Sequence, residues 1–297
     1  MLKVSRNFVR NTHFSVRNYC SVLSKMSKEE KTGVKLNEVI CVLEKFAPKQ
    51  LSESWDNTGL LVEPYTPRNI KKILLTNDLT EDVALEAKQN NCEMVISYHP
   101  PIFAPLKSVI QSSWKERIVS LLLENRITLY SPHTSWDSVK GGVNDWLASA
   151  FPFVESVPII PGMDPDTGAG RLLHISDPLD LSKAIEEVKM LTGLKHIRLA
   201  IGKGRALTDH IKNVALCAGS GSSVLKKVAE ADLFLTGEML HHDILDATQR
   251  GISVILTNHS DSERGFLCGF SSDLQSQLDN KVLVLVSEYD KDPLSTV

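Results

Sequence analysis

The chain has 297 residues, 42% of them apolar and 23% charged, with a formal net charge of −3. That composition fits one or two globular domains. No apolar run approaches the roughly 20 residues that span a bilayer. The five cysteines (Cys20, Cys41, Cys92, Cys217, Cys268) form no C-x-x-C pair, which argues against a disulfide framework or a zinc ribbon.

Charge is uneven along the chain. Six basic residues and no Asp or Glu lie in residues 1–28, so the remainder is distinctly acidic. An acidic body carries no electrostatic footprint for nucleic acid. The basic start (residues 1–33 as a tail, the acid-free 1–25 as its targeting portion) resembles a mitochondrial targeting segment; a plain tail ahead of Met26 is the other reading.

Val34, Leu36, Val39, Ile40, Leu43 and Phe46 recur at helical spacing, and Pro48 closes that helix. Residues 54–62 read as a turn running into a strand. A strand over 70–76 is followed by a helix over 81–90, with Thr80 as its cap and Glu81 and Asp82 in its first turn. A strand over 93–98 ends at His99, where Pro100 and Pro101 forbid continuation. A helix over 114–124, a strand over 127–131 and a helix over 143–150 complete the first half. Residues 152–170 are rich in Pro and turn types and read as a connector.

The second half repeats the alternation. Strands are expected over 171–175, 196–201, 212–217, 232–236, 252–257 and 281–287. Helices are expected over 180–192, 223–231, 242–249 and 262–278. Gly219 and Gly221 lack the third glycine of a dinucleotide fingerprint and read as a tight turn. The expected fold is therefore α/β with mixed sheets. The order of elements suggests two similar lobes, 34–151 and 171–297, related by pseudo-duplication, with a metal site in the cleft between them.

Ligand-type residues stand at four strand ends: His99; His133 with Asp137 at i+4; Glu238 with His241 and His242; and His259 with Glu263 at i+4. In open α/β sheets, ligands sit beyond the carboxyl ends of strands. Imidazole and carboxylate donors without thiolate suit iron, zinc or manganese. Glu263 has a second reading, since Ser260 to Glu263 also spells a helix capping box. Asp137 reads equally as a turn acid.

Five segments together resemble one family: Trp55-Asp56-Asn57-Thr58-Gly59-Leu60, Ser97-Tyr98-His99-Pro100-Pro101, Ser131-Pro132-His133-Thr134-Ser135-Trp136-Asp137, Thr236-Gly237-Glu238 through His242, and His259-Ser260-Asp261-Ser262-Glu263. In order, they are similar to the NGG-one-interacting-factor-three family, also labelled GTP cyclohydrolase I type 2. The resemblance covers roughly residues 34–297. It implies a two-lobed α/β fold, assembly into dimers or hexamers, and a centre of one or two divalent transition metals. Its ligands map onto His99, Asp137, His259 and Glu263, with His133 close by. Bacterial members carry His-His where this chain has Tyr98-His99, which removes one imidazole. Many members insert a further α/β domain between the lobes, and residues 152–170 leave no room for it.

Two functions are expected from this. One is metal-assisted hydrolysis of a nucleotide-like substrate, with Glu238 or His242 as general acid or base. The other, implied by the resemblance, is a regulatory scaffold that binds transcriptional co-regulator proteins in cytoplasm and nucleus.

Overall fold

The computed structural model describes residues 31–295. The targeting reading of the N-terminal segment lies outside these residues. Among the described residues, no helix is long and apolar enough to cross a membrane.

A mixed α/β fold is built on two larger sheets and a small hairpin. In the first sheet, β1 (Gly59–Val62), β2 (Lys72–Thr76), β3 (Met94–Ser97), β4 (Thr128–Ser131) and β13 (Leu283–Val286) lie in the order β1-β4-β3-β2-β13. All neighbours are parallel except β1, which runs antiparallel to β4. Ile73, Leu74, Leu75, Val95 and Ile96 are fully buried, as expected of strands covered on both faces.

The second sheet holds β5 (Phe153–Val157), β8 (Arg171–Asp180), β9 (Arg198–Ala200), β10 (His210–Ser220), β11 (Leu233–Glu238) and β12 (Ser253–Leu256), in the order β5-β8-β10-β11-β12-β9. Its centre, β10-β11-β12, is parallel. The flanking strands β5, β8 and β9 are antiparallel to their neighbours.

Helices cover these sheets: α1 (Leu36–Phe46), α2 (Glu81–Gln89), α3 (Trp114–Glu124), α4 (Thr134–Ser138), α5 (Val143–Ala148), α6 (Leu181–Thr192), α7 (Ser222–Leu225), α8 (His241–Gln249) and α9 (Phe266–Gln277). Thr80 caps α2 by accepting from Val83 N. Helix α9 packs Phe266, Leu267, Phe270 and Leu274 onto the first sheet, around Trp136. Phe270 lies 4.3 Å from the Trp136 ring and 5.2 Å from that of Phe46. Truncating such a ring costs about 3–5 kcal/mol.

Several boundaries differ from those read in the sequence. The segment 152–170 is not bare connector. It contains β5, at the edge of the second sheet, and the hairpin of β6 (Ile160–Pro161) and β7 (Gly168–Ala169). Pro152 and Pro158 flank β5, and on an edge strand a missing N–H breaks no ladder. The last strand, β13, joins the first sheet beside β2, so residues 171–297 supply both sheets. Helix α7 stops at Leu225. A 3₁₀ turn occupies Ser260–Ser262, so the following helix starts only at Phe266.

Two side chains tie the second sheet to the α4–α5 segment that follows β4. Arg171 is 2% exposed. It donates to Asp145 at 2.6 Å, to the Gly168 and Gly170 carbonyls at 2.8 Å, and to the Val139 carbonyl at 3.1 Å. Breaking a buried pair of this kind costs about 3–5 kcal/mol. Asn144 donates to the Asp137 carbonyl and accepts from Ala218 N. It thereby fixes the turn carrying Asp137 against the end of β10.

Candidate metal centre

Three imidazoles from three strand ends meet at the junction of the sheets. His99 follows β3, and its backbone is pinned by His99 N to the Asn77 carbonyl (3.0 Å) and by Ser97 Oγ to the His99 carbonyl (2.6 Å). His133 follows β4 with φ +35° and ψ −116°, a conformation a non-glycine residue adopts only when its surroundings impose it. His259 follows β12 after Asn258, itself at φ +69°. Ring centroids lie 5.2 Å apart for His99–His133 and for His99–His259.

Each imidazole is oriented by its own carboxylate. His99 Nδ1 meets Asp78 Oδ1 at 2.9 Å. His133 Nδ1 meets Asp56 Oδ1 at 2.8 Å, and His259 Nδ1 meets Glu238 Oε1 at 2.8 Å. An ionised carboxylate makes Nδ1 the donor and leaves the Nε2 lone pair for a ligand, the arrangement usual behind metal-bound histidines. Burial works against the charge on Asp56, yet bonds from His133 and Thr134 hold its carboxyl below the ordinary range. Asp78 is likewise held low, against burial, by His99 and Asn77.

Glu263 completes the cluster. Its side chain is 3% exposed. Oε2 lies 3.5 Å from His99 Nε2, and Oε1 lies 3.4 Å from His259 Nε2. Asn77 Nδ2 donates to Oε2 at 3.1 Å. One donor atom each from His99, His259 and Glu263 falls within 4.8 Å of the others. The capping-box alternative does not describe this side chain, which points into the cluster ahead of a helix that begins later.

Burial, and then the negative charge of Asp137, lifts the Glu263 carboxyl well above its ordinary value. Burial lifts Asp137 as well. Two carboxylates that repel one another in this way form a site that a divalent cation would neutralise. Asp137 Oδ1 accepts from the Tyr98 hydroxyl at 2.5 Å. Tyr98 is 2% exposed, and burial, with Asp137 and Glu263 beside it, pushes the phenol well above its usual range. It is a neutral donor to Asp137. Burial also raises the thiol of nearby Cys217, so no thiolate is on offer.

The turn at Gly219 closes against the donors. At φ +64°, an added Cβ would lie 2.4 Å from Glu263 Oε1 and 3.0 Å from His259 Nε2. Gly219 N donates to Ser262 Oγ at 2.7 Å. The tight turn read in the sequence is therefore a wall of the site.

The structure thus brings His99, His133, His259, Glu263 and Asp137 into one neighbourhood and sets Glu238 on His259. His242 is exposed in the first turn of α8, its ring 5.4 Å from that of His241. Asp56, Asp78 and Asn77 were not among the ligand-type residues expected from the sequence, where Asp56 lies in a turn and Asn77 and Asp78 end a strand. Asp78 did carry a signal, being an acid at the end of β2 beside the other ligand-bearing strand ends.

The family model Duf34/NIF3 (NGG1p interacting factor 3) matches residues 34–293. The chain belongs to the DUF34/NIF3 family. It is 50% identical to NIF3-like protein 1 of Drosophila melanogaster over 269 residues, 90% of each chain. It is 34% identical to the GTP cyclohydrolase 1 type 2 homolog of Clostridium perfringens over 267 residues, 89% of this chain and all of the relative. A crystal structure of the Bacillus cereus protein related to NIF3 superposes with a TM-score of 0.77 at 22% identity, covering 89% of this chain and 99% of that one. At that identity the likeness speaks for the fold, and the DUF34/NIF3 motifs identified above supply the donor cluster.

Proposed function

We propose that this protein is a metal-dependent hydrolase of a nucleotide-like substrate. Its divalent transition metal would be held by His99, His259 and Glu263, with His133 and Asp137 adjoining. The observation that carries the reading is the three histidines with every Nδ1 engaged by a carboxylate. A scaffold has no use for two Nε2 lone pairs, of His99 and His259, set against the buried carboxylate of Glu263.

Nitrogen and oxygen donors without thiolate suit zinc, iron or manganese. When bound, such an ion supplies Lewis-acid polarisation and activation of water. The chain's own residues do the rest. Asp56, Asp78 and Glu238 hold the imidazoles in one tautomer. Glu238, half exposed and bonded to His259, is favoured over His242 as the group that moves a proton at the mouth of the site. Tyr98 holds Asp137 on the inner wall. The name of the Clostridium perfringens relative, GTP cyclohydrolase 1 type 2 homolog, supports a nucleotide as the substrate class.

The parallel order β2-β3-β4 leading to His133 matches β10-β11-β12 leading to His259. This supports two pseudo-duplicated lobes with the site in the cleft between them.

The test is elemental analysis of purified protein after anaerobic reconstitution with iron, manganese and zinc, paired with hydrolysis assays on a nucleotide panel. Wild type is expected to hold a transition metal and turn over a nucleotide. The doubly substituted His259→Ala, Glu263→Ala protein is expected to do neither. Metal-free wild-type protein would refute the proposal.

A further inference from the structure

Two large aromatic rings stand exposed beside the donor cluster. Trp55 is 60% exposed and Phe103 is 48% exposed. Their centroids lie 6.1 Å apart. Trp55 also meets the His133 ring edge-on at 6.1 Å. Single exposed apolar residues are ordinary, but paired large rings at the rim of a polar site mark a ligand surface.

The rings are carried on backbone that is held in place. Trp55 precedes Asp56, whose carboxylate takes His133 Nδ1, Thr134 N (3.2 Å) and Thr134 Oγ1 (2.6 Å). Glu53 N donates to Thr134 Oγ1 at 2.9 Å. Asn57 Nδ2 donates to the Ile102 carbonyl at 2.5 Å, which ties the Trp55 loop to the residue before Phe103. On the other side, buried Pro100 and Pro101 fix the chain as it leaves His99. The contacts that orient His133 therefore also place the rings. Such preorganisation favours a rigid flat ligand.

Spacing limits what fits. Steps of 6.1 Å and 5.2 Å lead from Trp55 through His133 to His99. A flat ring lying on Trp55 leaves a sugar-phosphate-sized remainder to reach the donor atoms. The inner end is lined by carboxylates, so an oxygen-bearing group there needs a cation, whereas the ring does not.

We propose that Trp55 and Phe103 form the base-binding wall of this site. They take the planar heteroaromatic ring of a mononucleotide whose oxygen-bearing end faces His99, His259 and Glu263. The placement of the second end rests on the metal-site reading; the ring wall does not. Stacking on an aromatic face tolerates different bases, since each has a π-face.

The experiment is calorimetric titration of the full chain, metal-free and zinc-loaded, with guanosine monophosphate, guanosine and ribose 5-phosphate. Guanosine monophosphate is expected to bind the loaded wild type about tenfold or more tighter than ribose 5-phosphate. Trp55→Leu should erase that difference while leaving the ribose 5-phosphate affinity and the metal content in place, and Trp55→Phe should keep most of it. Phe103→Leu, on the other loop, repeats the loss if Trp55→Leu does not fold. Guanosine should bind the metal-free protein with the same dependence on Trp55. A failed metal reading then shows as absent metal and no phosphate contribution, with the ring effect intact. Equal affinity of wild type for guanosine monophosphate and ribose 5-phosphate, or unchanged guanosine monophosphate affinity in both ring variants, overturns the proposal.

Discussion

His99 Nε2 lies 3.5 Å from Glu263 Oε2. One residue leaves a strand of the first sheet, and the other lies in the loop after the last parallel strand of the second. Neither sheet alone makes this contact, so the donor cluster exists only when the sheets are docked. Arg171 and Asn144, which hold the α4–α5 segment against the second sheet, belong to the support of the site as much as to that of the fold.

The carboxylates behind the imidazoles are expected to matter almost as much as the ligands. Asp78→Asn, Asp56→Asn and Glu238→Gln each remove the charge that fixes a histidine tautomer. Each is expected to weaken metal affinity by about 10–100-fold with the fold retained. Competition against a chromogenic chelator measures this, and wild-type affinity in all three variants would contradict the assignment.

Gly219→Ala tests the wall. Its Cβ would fall 2.4 Å from Glu263 Oε1. Gly193, at φ +73° with nothing within 4 Å of an added Cβ, is the control. Both variants bear the strain of a left-handed alanine, roughly 1–2 kcal/mol. Only Gly219→Ala is expected to lose metal as well. Denaturant midpoints and metal content read the two effects separately, and full metal occupancy in Gly219→Ala would remove the wall from the account.

The buried acids set the sign of a pH response. Glu263 and Asp137 have folded pKa values raised first of all by burial. Between the unfolded and folded values the native state binds more protons, so stability from these groups falls as pH rises through that window. Metal-free wild type is therefore expected to lose stability above the ordinary carboxyl range of about 4. Glu263→Gln should lessen that loss, and bound metal should counter it. Urea midpoints at acid and neutral pH, with and without chelator, give the comparison. Identical pH slopes for metal-free wild type and Glu263→Gln would disprove it.

Arg171→Met tests the hold of the second sheet on the α4–α5 segment. Removing the guanidinium leaves Asp145 without its partner and is expected to cost about 3–5 kcal/mol. Metal affinity should fall with it, because Arg171 holds the segment that follows Asp137 against the second sheet. A thermal shift without any change in metal affinity would separate fold from site.

Much of this was legible in the sequence. Apolar runs such as Ile73-Leu74-Leu75 announce buried parallel strands, and Thr80 with Glu81 and Asp82 announces a helix start. Prolines after His99 end a strand by covalent geometry alone. The recurrence of His at strand ends likewise follows from local pattern. The edge strand over 153–157 was masked by its flanking prolines, which tolerate an edge but not an interior.

The stretch over 252–265 shows where local reading stops. Its strand and its terminal His259 are set by residue type. Whether Glu263 caps a helix or faces a metal depends on His99, Asn77 and Asp137, all distant in the chain. The same holds for Asp56 and Asp78, which are turn acids until an imidazole arrives from another strand. Backbone preference and apolar period act over a few residues and fix elements. Donor sets, carboxylate pairing and the desolvation that shifts a pKa act through space, and only the docking of the two sheets decides them.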